Sequence, residues 1–206
     1  MSEVIIYNAR PEDAEAICRI GGYFPAGSES PTPENIRNHI WQFPEGQLVA
    51  LLNQRVVGFA LTMRTNHSPD EHPLPWLDAV GDLDISNHDP DGLWLYGIDF
   101  VVDSNYRRKG IGTRLYQARF NLVKKLGLRG FYAGGMLMGY QHYCHQMNIR
   151  QYAEKVIRGE ISDPTVTMQM KRGFRPYRLI ENYTCYPAAG DAAMLIVWKN
   201  PQQISI

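Results

Sequence analysis

The stretch Arg107-Arg108-Lys109-Gly110-Ile111-Gly112-Thr113 follows the apolar run Tyr96-Gly97-Ile98-Asp99-Phe100-Val101-Val102, and this junction constrains the chain more than any other. It reads as strand, short loop and helix, with cations and glycines gathered where the helix begins. Glycine permits close approach and φ angles that other residues avoid, while a helix start carries partial positive charge and unpaired N–H groups. Such a loop can turn several backbone donors toward one point, which suits a pyrophosphate. Basic turns containing glycine also occur as plain surface punctuation, so the flanks have to decide.

Two other phosphate-binding loops fit less well. The position that would carry a third glycine holds Leu115, which leaves the dinucleotide-binding fingerprint incomplete. No G-x-x-x-x-G-K-[ST] occurs, which disfavours a P-loop nucleotidase. The 21 basic and 21 acidic side chains cancel, so the basic excess expected of a nucleic-acid binder is missing. At 206 residues and 44% hydrophobic, the chain fills one core and has room for insertions. Cys18, Cys144 and Cys185 are odd in number and widely spaced, which disfavours a disulfide framework and fits a reducing compartment. They read as small buried hydrophobes. The amino terminus lacks a leader pattern, and no segment approaches the ~18 apolar residues of a membrane span. The expectation is a soluble cytoplasmic domain with no nucleic-acid or membrane partner.

The pattern predicts a strand at 4–7, then a helix begun by Arg10-Pro11-Glu12-Asp13 and stopped at Gly21-Gly22. A second helix runs from Pro33 toward Trp41, and Asn53-Gln54 breaks a hairpin between 47–52 and 56–63. Residues 64–92, rich in Asp, Pro and His, read as an irregular acidic surface connection that could steer a cationic acceptor or be merely solvated. After the strand near 93–102, a helix is predicted over 113–126, with Leu115, Phe120, Leu122, Val123 and Leu126 as its apolar stripe and Gly127 as its cap. A fifth strand at 129–134, a helix over 140–159, a short helix at 165–172 and strands near 175–184 and 192–198 complete the prediction.

Arg107-x-x-Gly110-x-Gly112, preceded by Val-Asp-x-x-Tyr and followed by Leu115-Tyr116, resembles the acetyl-CoA signature of the GNAT N-acetyltransferase superfamily. The order of elements resembles that family over nearly the whole chain, from Arg10-x-x-Asp13 to Gly173-Phe174. More narrowly, Tyr152-x-Glu154-x-Val156-x-x-Gly159-Glu160-x-x-Asp163-Pro164, then Gln169, resembles GNAT domains fused to carbon–nitrogen (nitrilase-like) hydrolases. The chain ends at Ile206 and is read as a single domain over 1–206 without that hydrolase, with insertions at 64–92 and 138–163. The resemblance implies an α/β fold whose mixed central sheet splays between its fourth and fifth strands, with helices on both faces.

It also implies that acetyl-CoA lies in the splay as co-substrate, with no metal. Its pyrophosphate would sit over Arg107, Arg108, Lys109, Gly110, Ile111, Gly112 and Thr113, and its pantetheine arm along Phe100, Val101 and Val102. A backbone N–H of that strand would polarise the thioester carbonyl. Transfer to an amine needs the amine neutral, and Asp99 is the leading proton acceptor, since it interrupts an apolar strand where an unpaired carboxylate is costly. Pairing of Asp99 with an arginine, purely to lock strands, is the equal alternative. Many family members place a tyrosine four residues before the final Gly-Phe to protonate the departing thiolate. Here that position is Gln169, whose amide donates no proton. Tyr140, with Tyr143 second, is the predicted replacement, against a thiolate that takes its proton from water. His142, Cys144 and His145 lack the spacing of a zinc site and read as ordinary surface packing, with a histidine lining the acceptor cavity as the alternative. The reading is an N-acetyltransferase acting on a small-molecule or peptide amine by direct attack in a ternary complex, in a family where homodimers are common. The alternative is a non-catalytic acyl-CoA-binding module that senses cofactor or supports a partner enzyme.

Overall fold

The structure is a computed structural model and describes residues 3–21 and 30–203. Gly22, read as part of the first helix stop, lies outside the described residues. Among the described residues, seven strands form one mixed sheet: β1 (Ile5–Asn8), β2 (Leu48–Leu52), β3 (Arg55–Thr65), β4 (Trp94–Val102), β5 (Gly130–Met136), β6 (Arg175–Ile180) and β7 (Ala193–Lys199). Their spatial order is β1-β2-β3-β4-β5-β7-β6, with β4 and β5 paired in parallel. The α-helices described are α1 (Ala14–Gly21), α2 (Pro33–Gln42), α3 (Trp76–Val80), α4 (Ile111–Lys125), α5 (Ile149–Ile157) and α6 (Val166–Met170).

Local chemistry sets most boundaries. Asn53 and Gln54 both take positive φ, 51° and 61°, the two-residue turn whose twist suits a hairpin. Thr32 caps α2 and exchanges hydrogen bonds with Asn35, behind Pro33 in the first turn. Gly127 stops α4 with φ 65°. One face of the sheet is covered by α1 and α2, where Ile17, Ile20, Ile36 and Ile40 pack on Phe59, Leu61 and Met63. On the other face, Tyr116, Phe120 and Val123 of α4 share a core with Tyr152 of α5 and Val166 of α6.

Three expectations need adjusting. Residues 140–159 are not one helix: a single 3-10 turn at Tyr140–His142 precedes α5, which begins only where Asn148 caps it and pairs reciprocally with Gln151. The 64–92 segment is more than a solvated connection. It contains α3, buries Val80 and Ile85, and is tied to α2 through Asn35 and Asn38 on the Asp84 carboxylate and His39 on the Leu83 carbonyl. Cys144 and Cys185 are exposed, and Cys18 only partly covered, so none is a buried core residue. Among the described residues, no helix is long and apolar enough to cross a membrane.

Candidate active site

β4 and β5 pair only from Trp94↔Gly130 to Gly97↔Ala133. Beyond Gly97 the two strands part, while β4 stays paired with β3 to Val102 and β5 stays paired with β7 to Met136. The opening is a cavity of about 1140 Å³ that runs from the glycine loop into the sheet. Volume on this scale fits a cofactor-sized ligand.

At its mouth, Gly110 sits at the start of α4 with φ 77°, and no side chain caps the helix. A Cβ built on Gly110 would meet nothing within 4 Å, so the protein itself leaves that space open. Arg108 also takes positive φ, 62°. An uncapped helix start after left-handed turns presents N–H donors and positive potential, the arrangement that holds phosphate. Arg107, Arg108, Gly110, Ile111, Gly112 and Thr113 all line the cavity, as do Phe100, Val101 and Val102. Lys109 does not; its ammonium lies 5.1 Å from the Tyr106 ring. The residues present therefore fit the pyrophosphate and arm of a CoA thioester.

Asp99 owes its position to a bulge. The β3–β4 register shifts so that Leu61 faces Asp99 and Thr62 faces Gly97, leaving Ile98 as an extra residue. Bulges re-aim side chains. Here Ile98 packs in the α1/α2-side core, while Phe100 faces Tyr116 of α4. Asp99 lines the cavity, and a Cβ built on Gly21 at the end of α1 would lie 3.9 Å from its Oδ2. Burial pushes it from 3.8 up to about 6, opposed by the Phe100 N–H that donates to Oδ1 at 2.7 Å and by the charge of Arg119. Among the described residues no arginine forms an ion pair with it, so the strand-locking alternative finds no partner.

The deep end carries two groups that sequence reading passed over. Arg119 stands in the buried stripe of α4, in phase with Leu115 and Val123, and is only 2% exposed. Its guanidinium carbon lies 4.2 Å from the Tyr116 ring centroid, 4.7 Å from Phe100 and 4.8 Å from Phe131. Burial lowers its pKa, and its Nε and Nη2 lack acceptors among the described residues. A cation interrupting an apolar helical stripe was the signal that could have found it. Trp76, from the acidic segment, donates its indole N–H to the Ile98 carbonyl at 3.1 Å and forms part of the cavity wall.

Two adjacent glycines of β5 admit further wall residues from opposite faces. A Cβ on Gly134 would lie 2.2 Å from the Tyr183 ring, and one on Gly135 would lie 2.4 Å from Gln169 Oε1. Tyr183 shares a hydrogen bond of 3.0 Å with Tyr96, and Gln169 donates to the Tyr116 hydroxyl at 3.2 Å. The two predicted tyrosines separate. Tyr143 lines the cavity together with His142, whereas Tyr140 is not in the lining and its hydroxyl donates to the Met147 carbonyl at 3.2 Å. Asp163 of the family-like motif is a hub: it accepts from Gly139 N–H, Tyr152 Oη, Thr165 N–H and Val166 N–H, fixing the β5 exit to α6.

An acyl-CoA-sized cleft in a splayed sheet, with a phosphate-fitting helix start at one end and a buried carboxyl at the other, defines the class. The chain belongs to the acetyltransferase (GNAT) family, a family of acyltransferases, and the family model matches residues 19–137. It is 34% identical over 206 residues to "Probable hydrolase YhcX" of Bacillus subtilis (strain 168), with 98% of this chain covered. It spans only 40% of the length of that relative. It is 32% identical over 167 residues to "Uncharacterized N-acetyltransferase YkwB" of the same organism, covering 81% of this chain and 74% of the relative. Among solved structures, the GphF GNAT-like decarboxylase in complex with isobutyryl-CoA shares the fold with a TM-score of 0.77 at 19% identity, over 95% of this chain and 99% of that one.

Proposed function

We propose that the chain transfers the acetyl group of acetyl-CoA to a primary amine by direct attack within a ternary complex. The observation that carries this reading is Asp99, a cavity-wall carboxyl raised to about 6 and unpaired by any described arginine, at the far end of a cleft that begins with the uncapped start of α4. A base of that strength is largely ionised at neutral pH, yet accepts a proton from an ammonium more readily than an ordinary carboxylate. The glycine loop with Arg107 and Arg108 would hold the pyrophosphate, and the unpaired margin of β4 at Phe100–Val102 the pantetheine arm. Acetyl-CoA supplies the activated acyl carbon. The isobutyryl-CoA in the GphF complex supports an acyl thioester in this fold.

A second reading is a non-catalytic acyl-CoA-binding module beside a hydrolase. It is favoured by the match to 40% of the length of a relative named as a hydrolase. The test is an acetyl-CoA turnover assay against small-molecule and peptide amines, with Asp99→Asn in parallel. Amine-dependent release of CoA that drops about 10²-fold in Asp99→Asn supports transfer. Tight acetyl-CoA binding with no turnover on any amine supports the module.

A further inference from the structure

Acyl transfer from a thioester ends with a thiolate that must be stabilised or protonated. Gln169 cannot give it a proton, and the Tyr140 hydroxyl is committed outside the cavity lining. The geometry points to Tyr116, flanked by Arg119, as the group that receives the departing CoA sulfur. This rests on the acyl-CoA reading above and adds a catalytic residue to it.

Tyr116 lies on α4 one turn past the glycine loop, 3% exposed, in the cavity wall. Its oxygen accepts from Gln169 Nε2, and among the described residues its own proton meets no acceptor. A buried phenol in the wall of a ligand cleft whose O–H has no protein acceptor takes one from a ligand seated there. Two guanidinium groups lie over its ring, that of Arg119 at 4.2 Å and that of Arg172 at 5.3 Å. Arg172 is held there by bonds to Thr113 Oγ1 and the Met168 carbonyl. Arg119 has no described carboxylate within ion-pair reach and keeps two nitrogens without acceptors, so its charge is not cancelled locally. In a poorly solvated wall such a charge favours an anion arriving in the cavity. A neutral acetyl group offers it little, whereas sulfur that gains an electron pair offers a great deal.

The step balances as follows. The amine nitrogen bonds to the thioester carbon, and its proton passes to Asp99. The C–S bond breaks, its electron pair stays on sulfur, and the Tyr116 proton moves to that sulfur. The phenolate then takes a proton from solvent, and Asp99 releases one. Gln169 acts as a positioning residue that holds the phenol oxygen.

The test uses the whole chain and CoA itself as the probe. The thiol of bound CoA is titrated by its ultraviolet thiolate absorbance, which needs no acceptor amine. An ordinary thiol titrates near ~8.5; bound CoA should titrate at least one unit lower in the wild type and return toward the free value in Arg119→Met. Tyr116→Phe should lower kcat for acetyl transfer about 10²-fold with acetyl-CoA affinity changed less than threefold. Gln169→Leu should lower kcat while leaving KM for acetyl-CoA near wild type. If bound CoA titrates like free CoA, or if Tyr116→Phe keeps the wild-type kcat, the assignment is overturned while the acyl-CoA reading stands. If CoA does not bind at all, both fall together.

Discussion

Asp99 and Arg119 are opposite charges buried in the wall of one cavity that do not pair. Each feels the other: Arg119 draws the Asp99 pKa down, and Asp99 draws that of Arg119 up, but burial outweighs both effects. The sheet explains the separation. The bulge at Ile98 turns Asp99 toward α1, while Arg119 reaches the splay from α4 on the other face. Had the two carried one salt bridge, neither would have much charge left for a ligand. Their separation leaves a carboxyl on one side of the opening and a cation on the other.

Asp99 makes stability fall as pH rises. Its folded pKa of about 6 exceeds the ordinary 3.8, so the folded state holds the proton more tightly. Its destabilising contribution is absent below about pH 4, grows between pH 4 and 6, and is constant above that, reaching on the order of 3 kcal/mol. Asp99→Asn should therefore raise stability at pH 7 and leave it nearly unchanged at pH 3.5, as measured by denaturant unfolding. In the same protein, kcat/KM for an amine should lose its rise through pH 6. Unchanged unfolding midpoints at both pH values would contradict the buried, ionised carboxylate.

Gly110→Val separates cofactor binding from folding. The new Cβ meets nothing in the protein within 4 Å, but the side chain enters the space above the helix start and strains a φ of 77°. The fold should lose about 1–2 kcal/mol from that strain, while calorimetric affinity for acetyl-CoA should disappear. Arg107→Ala should weaken binding several-fold at low salt and less at high salt, because its effect is largely charge.

Tyr140→Phe should keep the wild-type kcat within about twofold. It removes only the hydrogen bond to the Met147 carbonyl, at a cost of roughly 1 kcal/mol in stability. A large fall in kcat with normal folding would return the acid role to Tyr140.

Asp84→Ala should loosen the segment that carries Trp76. The carboxylate accepts from Asn35 and Asn38, bonds that also hold its pKa below the usual range. Losing both should cost roughly 1–2 kcal/mol and speed limited proteolysis between residues 66 and 92. Because the shift is downward, acidification below the normal Asp range should produce the same loosening in the wild type, and the variant should lack that pH response.

The glycine loop, the order of strands and helices, the two-residue hairpin break and Asp99 as the polar interruption of an apolar strand are all legible in the sequence. Each depends on local rules: φ permitted to glycine, period along a strand, caps at helix ends. Arg119 was legible only as an anomaly in the stripe of α4, since nothing local says whether a cation on a buried face finds a carboxylate. Only the tertiary structure decided that it does not. The single turn at Tyr140–His142, which removed Tyr140 from the cavity, depends on Asn148 starting α5 late and on Asp163 pinning Gly139, contacts that cross up to 24 residues. The meeting of Tyr116 with Gln169, 53 residues apart, and the entry of Trp76 from an acidic stretch depend likewise on the packing of distant elements. The sequence by itself determined the strand–loop–helix and its phosphate-fitting start, because backbone conformation there follows from neighbouring residues. The chemistry at the deep end was decided by which side chains the packed sheet and helices bring within a few ångströms.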